Sequence, residues 1–233
     1  MNHLVGVIFN GIGIIVGSVI GIVWGRRLHP SFREQALRLI GVIVILIGFK
    51  MAWFLPDPVN TLLSLVIGGW LGSVAQLEMR LERFGHWAEA RVKRQGFAKG
   101  FIAATLIFNV GAMAILGAIQ EGMTGRYTIL ATKAVLDGTT AMLLTSVVGW
   151  GVVVAAIPTV IYEGSLSLLA HGVAQILHGA PMQDATVVGG LMIAAIGVNF
   201  ILDRTVIKIA DLLPALVVSA VLGWLKLNGW AFL

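Results

Sequence analysis

The stretch Leu4-Val-Gly-Val-Ile-Phe-Asn-Gly-Ile-Gly-Ile-Ile-Val-Gly-Ser-Val-Ile-Gly-Ile-Val-Trp24 decides the fold. As an α-helix rising 1.5 Å per residue it is about 30 Å long, which matches the hydrocarbon core of a bilayer, and it carries no charge. Only Met1, Asn2 and His3 precede it, with no basic segment and no small-residue cleavage motif. It is therefore expected to stay in place as a membrane span and not to be removed as a signal peptide.

Runs of the same kind fill the rest of the 233 residues, of which 58% are hydrophobic and 12% charged, with a mean hydropathy of +0.94. That leaves too little polar surface to solvate a compact domain, so lipid is the expected solvent. The fold class that follows is all-α: a polytopic transmembrane helical bundle forming one domain over residues 1–233. Cysteine is absent, which removes disulfides and thiolate metal sites. The pI near 10 does not indicate nucleic acid, because the basic residues occupy short links between apolar runs and form no separate basic domain.

Eight spans are expected. The first ends at Arg26, Arg27, His29 and Arg33; the second runs from about Arg38 to Phe54 and stops at the rigid turn Pro56-Asp57-Pro58. The third covers about Val59 to Ala75. Residues Gln76 to Gln95 then show Leu77, Leu81, Phe84, Ala88 and Val92 at helical spacing with basic residues between them, the pattern of an interfacial amphipathic helix or of a polar helix packed on the protein. The fourth span covers about Gly100 to Ile119. Thr128 to His178 is long enough for two crossings, divided near Gly149-Trp150-Gly151. The last two cover about Val187 to Leu202 and Leu212 to Trp230.

An outside N-terminus then puts Arg26, Arg27, Arg33, Arg38, Arg80, Arg83, Arg91, Lys93, Arg94, Lys99, Arg204 and Lys208 on the cytoplasmic side and leaves Arg126 in an outer loop. Lys50 and Lys226 fall near outer span ends, beside an aromatic belt of Trp53, Trp224 and Trp230. The expected location is the bacterial inner (plasma) membrane, crossed several times.

Small residues at four-residue intervals mark helix seams: Gly13, Gly17 and Gly21 in the first span, Gly68 and Gly72 in the third. These two spans are expected to be interior helices. Ile8-Phe9-Asn10 recurs as Ile107-Phe108-Asn109 in a span of opposite direction, the arrangement of an inverted-topology repeat, which in transporters accompanies broken helices.

The polar residues inside apolar spans carry the functional expectation. Lys133 and Asp137 stand one helical turn apart, and each charge would cost on the order of 3 kcal/mol at the bilayer centre, so both should face protein or a water-filled cavity. Asp137-Gly138-Thr139-Thr140 further predicts an unwound segment exposing carbonyl groups to an ion; the alternative is a buried pair fixing helix register. Glu163, five residues after Pro158, is either a protonation or cation site within the membrane or an interfacial residue beyond a span end. Asn10, Asn109 and Asn199 each need partners, across helices or on a substrate. The candidate substrate- and ion-binding set is thus Lys133, Asp137, Asn109, Asn10, Glu163 and Asn199. No metal site is expected: His171 and His178 are seven apart and lack a third ligand. No cofactor is expected.

Gly111-Ala-Met-Ala-Ile-Leu-Gly-Ala-Ile-Gln-Glu-Gly122, Leu130-Ala-Thr-Lys-Ala-Val-Leu-Asp-Gly138, Ile161-Tyr-Glu-Gly-Ser165 and Leu213-Pro-Ala-Leu216 together resemble a bacterial membrane family, the YdfK-like proteins of domain of unknown function 554. The resemblance covers essentially the whole chain. It implies a multispanning plasma-membrane protein and transport, without assigning a substrate.

The function expected is that of a secondary transporter or permease for a small solute or ion, built around an intramembrane Lys-Asp site. An ion channel, or a membrane subunit that binds a partner without catalysis, is the alternative. Enzyme activity is not expected, because the nucleophile-elbow, zinc-protease and phosphate-loop patterns are all missing. The partners expected are the lipid bilayer, a small solute or ion and a second copy of the chain in a homo-oligomer, with no nucleic acid.

Overall fold

The computed structural model describes residues 4–25, 29–83, 97–109, 111–170, 172 and 179–228. Among these the regular structure is helical: α1 (Val5–Gly25), α2 (Pro30–Ala52), α3 (Pro58–Val74), a short α4 (Leu77–Arg83), α5 (Phe97–Asn109), α6 (Ala112–Thr124), α7 (Thr128–Val148), α8 (Gly151–Val154), α9 (Ala156–Leu168), α10 (Ala180–Leu202) and α11 (Pro214–Leu227). A 3₁₀ turn at Ala210–Leu212 leads into α11. The protein is a helical membrane bundle. Of the amphipathic helix expected at 76–95, α4 is present and residues 84–96 lie outside the described ones.

Among the described residues five helical stretches are long and apolar enough to cross a membrane: Val5–Gly25, Glu34–Ala52, Gly151–Leu168, Ala180–Leu202 and Ala210–Leu227. The number is seven if the bent pairs α3 with α4 (51°) and α5 with α6 (57°) each count as one crossing. Helix α7 is absent from that set although its 21 residues span about 30 Å. Lys133, Asp137 and its threonines make it polar; Lys133, Asp137 and Thr145 are buried against other helices, whereas Thr128, Thr132 and Thr139 are exposed.

The breaks follow local chemistry. Asp57 caps α3, its Oδ1 accepting from the backbone N–H of Val59 and Asn60 at 3.1 and 3.0 Å, and Pro58 fills the first helical position, where a missing N–H costs nothing. The chain between α7 and α8 turns at Gly149, in the expected place, with φ +96° that a side chain would strain. Three expected boundaries move: α2 begins at Pro30 and not near Arg38, α10 begins at Ala180 and not near Val187, and the fourth span is not one straight helix over 100–119 but the bent pair α5–α6.

The chain divides into two compact units: Met1–Ile40 with Glu82–Val173, and Gly41–Leu81 with Ala174–Leu233. In the first, α1 lies along α7. A Cβ on Gly13 would sit 2.7 Å from the Ala134 carbonyl oxygen, one on Gly17 would overlap the Gly138 carbonyl, one on Gly21 the Met142 carbonyl, and one on Gly25 would sit 2.5 Å from the Ser146 oxygen. Both series ascend by four, so α1 and α7 are parallel and joined backbone to backbone. Parallel α1 and α7 are what an odd number of crossings between them requires.

In the second unit, Gly41 and Gly48 of α2 face Gly197 and Gly190 of α10, and Gly68 and Gly72 of α3 face Ala215 and Asp211. The partner numbers now descend, so these pairs are antiparallel. The glycine seams fall where expected, but α1 and α3 are not interior helices. Phe9, Val16 and Trp24 on α1, and Leu62, Val66 and Trp70 on α3, are exposed on the face away from each seam. Of the five membrane-length stretches α10 is the most enclosed, with 61% of its 18-residue apolar window buried.

Candidate functional site

Helix α7 runs unbroken through Thr128–Val148, so the unwound segment expected at Asp137-Gly138 does not form. Two local causes are visible. Lys133 and Asp137 form an ion pair across one turn, which ties the helix together, and Gly138 serves the close approach of Gly13 without ending the helix. The helix does break before Pro158, at Ala155 between α8 and α9, but Pro158 itself sits in the first turn of α9, where its missing N–H breaks no bond within that helix. Glu163 is therefore well inside α9, fully buried, and part of the membrane-length stretch Gly151–Leu168.

Four of the six candidate residues converge. The Asn10 amide on α1 donates from Nδ2 to Asp137 Oδ2 at 3.2 Å and to Glu163 Oε1 and Oε2 at 3.0 and 3.1 Å. The Lys133 ammonium donates to Asp137 Oδ2 and lies 3.3 Å from Glu163 Oε1. All four side chains are buried. Asn10 lies five residues past Val5 and Asp137 nine past Thr128, which places the cluster about 8–14 Å along α1 and α7 from their N-terminal ends.

The cluster carries one ammonium and two carboxylates. With both carboxylates ionised its charge is +1 − 2 = −1, held out of water on three helices. Each ion has a charge-assisted partner, which offsets part of the desolvation cost. The remaining negative charge is what a bound proton or cation would neutralise. Asn10 Oδ1, although buried, accepts no hydrogen bond.

The other two candidates are elsewhere. Asn109, at the end of α5, donates to the Thr105 carbonyl at 2.7 Å and to Thr159 Oγ1 at 3.0 Å. Thr159 is one turn before Glu163 on α9, so Asn109 flanks the cluster without joining it. Asn199 belongs to the second unit. Its Nδ2 donates to the Ile207 carbonyl, and its Oδ1 accepts from the backbone N–H of Val206 and Ile207, which clamps the link after α10. Asn199 is a loop clamp. His171 and His178 lie outside the described residues.

Several buried polar groups escape a reading of the sequence. Glu121 falls in what looks like a polar link, yet it is fully buried on α6 and accepts from the backbone N–H of Gly6 and Val7 at 2.6 and 3.2 Å. It thus satisfies two of the free N–H groups at the start of α1, one turn from Asn10. In the second unit Asn60 donates to Asp184 Oδ2 at 2.6 Å, and Glu78 and Asp211 accept from backbone N–H groups beside each other: Glu78 N to Asp211 Oδ1 at 2.9 Å, Ala210 N to Glu78 Oε2 at 2.8 Å. Asp57, just before α3, pairs with Lys226 in the last turn of α11 at 2.5 Å. The Asn60 backbone N–H and then the Lys226 ammonium hold its carboxyl below the usual aspartate range.

The fold defines a multispanning α-helical membrane protein, with a cluster of buried ionisable side chains among its helices. The family model described as "Protein of unknown function (DUF554)" matches residues 5–224, and the chain belongs to that family. It is 31% identical over 220 residues to the "Uncharacterized membrane protein YdfK" of Bacillus subtilis (strain 168), covering 93% of this chain and 94% of that protein. It is 25% identical over 223 residues to the "Uncharacterized protein YqgA" of Escherichia coli (strain K12), with 93% and 94% covered. No solved structure matches.

Proposed function

We propose that this protein is a secondary transporter or permease for a small solute or ion, with Asn10, Lys133, Asp137 and Glu163 as its site. The observation that carries the reading is the convergence of two buried carboxylates, one ammonium and one amide from three helices. Ionisable groups within spans are costly, and a purely structural pair would need only one carboxylate for Lys133. The second carboxylate leaves a charge that changes when a proton or cation binds, which is how a carrier links its cargo to a gradient.

The topology proposed with this function has eight crossings of the plasma membrane and an external N-terminus. It treats α7 as the crossing added to the five single and two bent ones, and keeps the basic links inside. The cluster then lies nearer the outer surface. The two Ile-Phe-Asn fragments are read as an inverted repeat whose asparagines reach α9 one turn apart, at Glu163 and Thr159.

Counterflow of radiolabelled solutes into proteoliposomes tests carrier against channel. Uptake driven by internal unlabelled solute, lost in Asp137→Asn, supports the carrier. Uncoupled conductance in a planar bilayer contradicts it.

A further inference from the structure

Building on the transporter reading, we infer that the site's ligand is a small monovalent cation that replaces the Lys133 ammonium between Asp137 and Glu163. Lys133 is then a tethered stand-in for the ligand and not the receptor of an anion.

Charge supplies the first argument. Around Lys133 stand two carboxylates, so with both ionised an anionic ligand would enter a region at −1 and would compete with both carboxylates for one ammonium. A cation meets two carboxylates with one of their partners, Lys133, on a flexible four-carbon stem that can swing aside.

Hydrogen-bond accounting supplies the second. The donors in the cluster are committed: Asn10 Nδ2 serves Asp137 and both oxygens of Glu163, and the Lys133 ammonium serves both carboxylates. The unused group is an acceptor, Asn10 Oδ1, on a side chain with no exposed surface. A buried acceptor left alone is destabilising, so a donor-bearing ligand is its natural complement.

The third argument is where such atoms occur. Among the described residues, every buried side-chain polar atom without a partner is an oxygen in the first unit: those of Asn10, Ser18, Thr105, Asn109, Gln120 and Thr145. Other helical hydroxyls in this unit, such as Thr132, Thr139 and Thr159, bond the carbonyl one turn back, as hydroxyls in lipid-embedded helices do. Ser18 and Thr145 do not. In the second unit the buried Asn60, Ser64, Asp184, Asn199 and Ser219 all have partners. These atoms are confined to the unit that holds the cluster, and three of them, the amide oxygens of Asn10, Asn109 and Gln120, can only accept. A primary ammonium, with one positive charge and three N–H donors, matches both features and is the nearest chemical likeness of the Lys133 head group.

The test is thermal unfolding of the purified full chain, followed by tryptophan fluorescence, during titration with methylammonium or tetramethylammonium chloride at constant ionic strength. Removing the resident cation in Lys133→Gln should lower the methylammonium midpoint about tenfold or more relative to wild type, while tetramethylammonium, bulky and without N–H groups, shifts neither protein. Unfolding of Lys133→Gln that methylammonium alone reverses is the same result. Lys133→Arg keeps a resident cation with a bidentate grip and should fold and raise the midpoint. An unchanged or higher midpoint in Lys133→Gln, or a lower one in Lys133→Arg, overturns the inference. Because binding is read without transport, no shift beside intact counterflow defeats this inference alone, and a shift without counterflow defeats the transporter reading alone.

Discussion

The Asn10 side-chain amide donates to both oxygens of Glu163, at 3.0 and 3.1 Å, across 153 residues of sequence. The same nitrogen reaches Asp137, so one neutral amide bridges two carboxylates that would otherwise repel across a buried gap. That bridge depends on the α1–α7 glycine seam, which brings α1 close enough for a short side chain to reach both other helices.

Asn10→Ala should therefore cost about 1–3 kcal/mol of stability, the range for stranding buried acceptors, and more than truncation of the exposed Leu46. Denaturant or thermal unfolding in detergent reads the difference. Equal stability of the two variants would show that the amide bridge is not holding α1 in place.

The seam itself predicts a graded glycine series. Gly17→Ala would drive a methyl group into the Gly138 carbonyl, and overpacking of this kind costs about 1–3 kcal/mol. Gly111→Ala meets nothing within 4 Å and should change stability little. Melting temperatures of the two proteins, compared side by side, check the ordering.

Asn199→Ala separates structural asparagine from site asparagine. It removes three hydrogen bonds to the link after α10 and should lower the melting temperature, yet solute-dependent charge movement per folded molecule should persist. Loss of that signal at intact folding would bring Asn199 back into the site.

Asp57 gives a pH dependence of known sign. Its carboxyl is held below the unfolded value of 3.8 by the Asn60 N–H and by Lys226, so the folded state favours the ionised form. The stabilisation is complete above about pH 5, shrinks as pH falls through 3.8, and is gone below the lowered folded value. Asp57→Asn should accordingly narrow the gap in melting temperature between pH 7 and about pH 3. A gap unchanged from wild type would remove Asp57 from the acid response.

The sequence makes some of this legible and hides the rest for physical reasons. Helical periodicity exposes Lys133 and Asp137 as a pair, and hydropathy marks Asn10 as a polar residue that needs a partner. It cannot name Glu163 as that partner, because the meeting depends on which helices are neighbours. Gly138 misleads because glycine both ends helices and lets them touch, and here it does the second. Pro158 leaves the depth of Glu163 open, since the effect of a proline depends on whether it stands in a first turn or later. Glu121 reads as a link residue because it sits near a span end, where charge is usually solvated; its burial is compensated by backbone amides of α1 that only the fold supplies.

Solid-supported-membrane electrophysiology on proteoliposomes, with pH, Na⁺ and K⁺ jumps and panels of small solutes, tests the central claim most directly. A solute- or ion-dependent charge movement in the wild-type protein that disappears in folded Asp137→Asn is the result predicted for a coupled carrier using this cluster. An identical charge movement in Asp137→Asn would contradict it and make Lys133 with Asp137 a pair that only sets helix register.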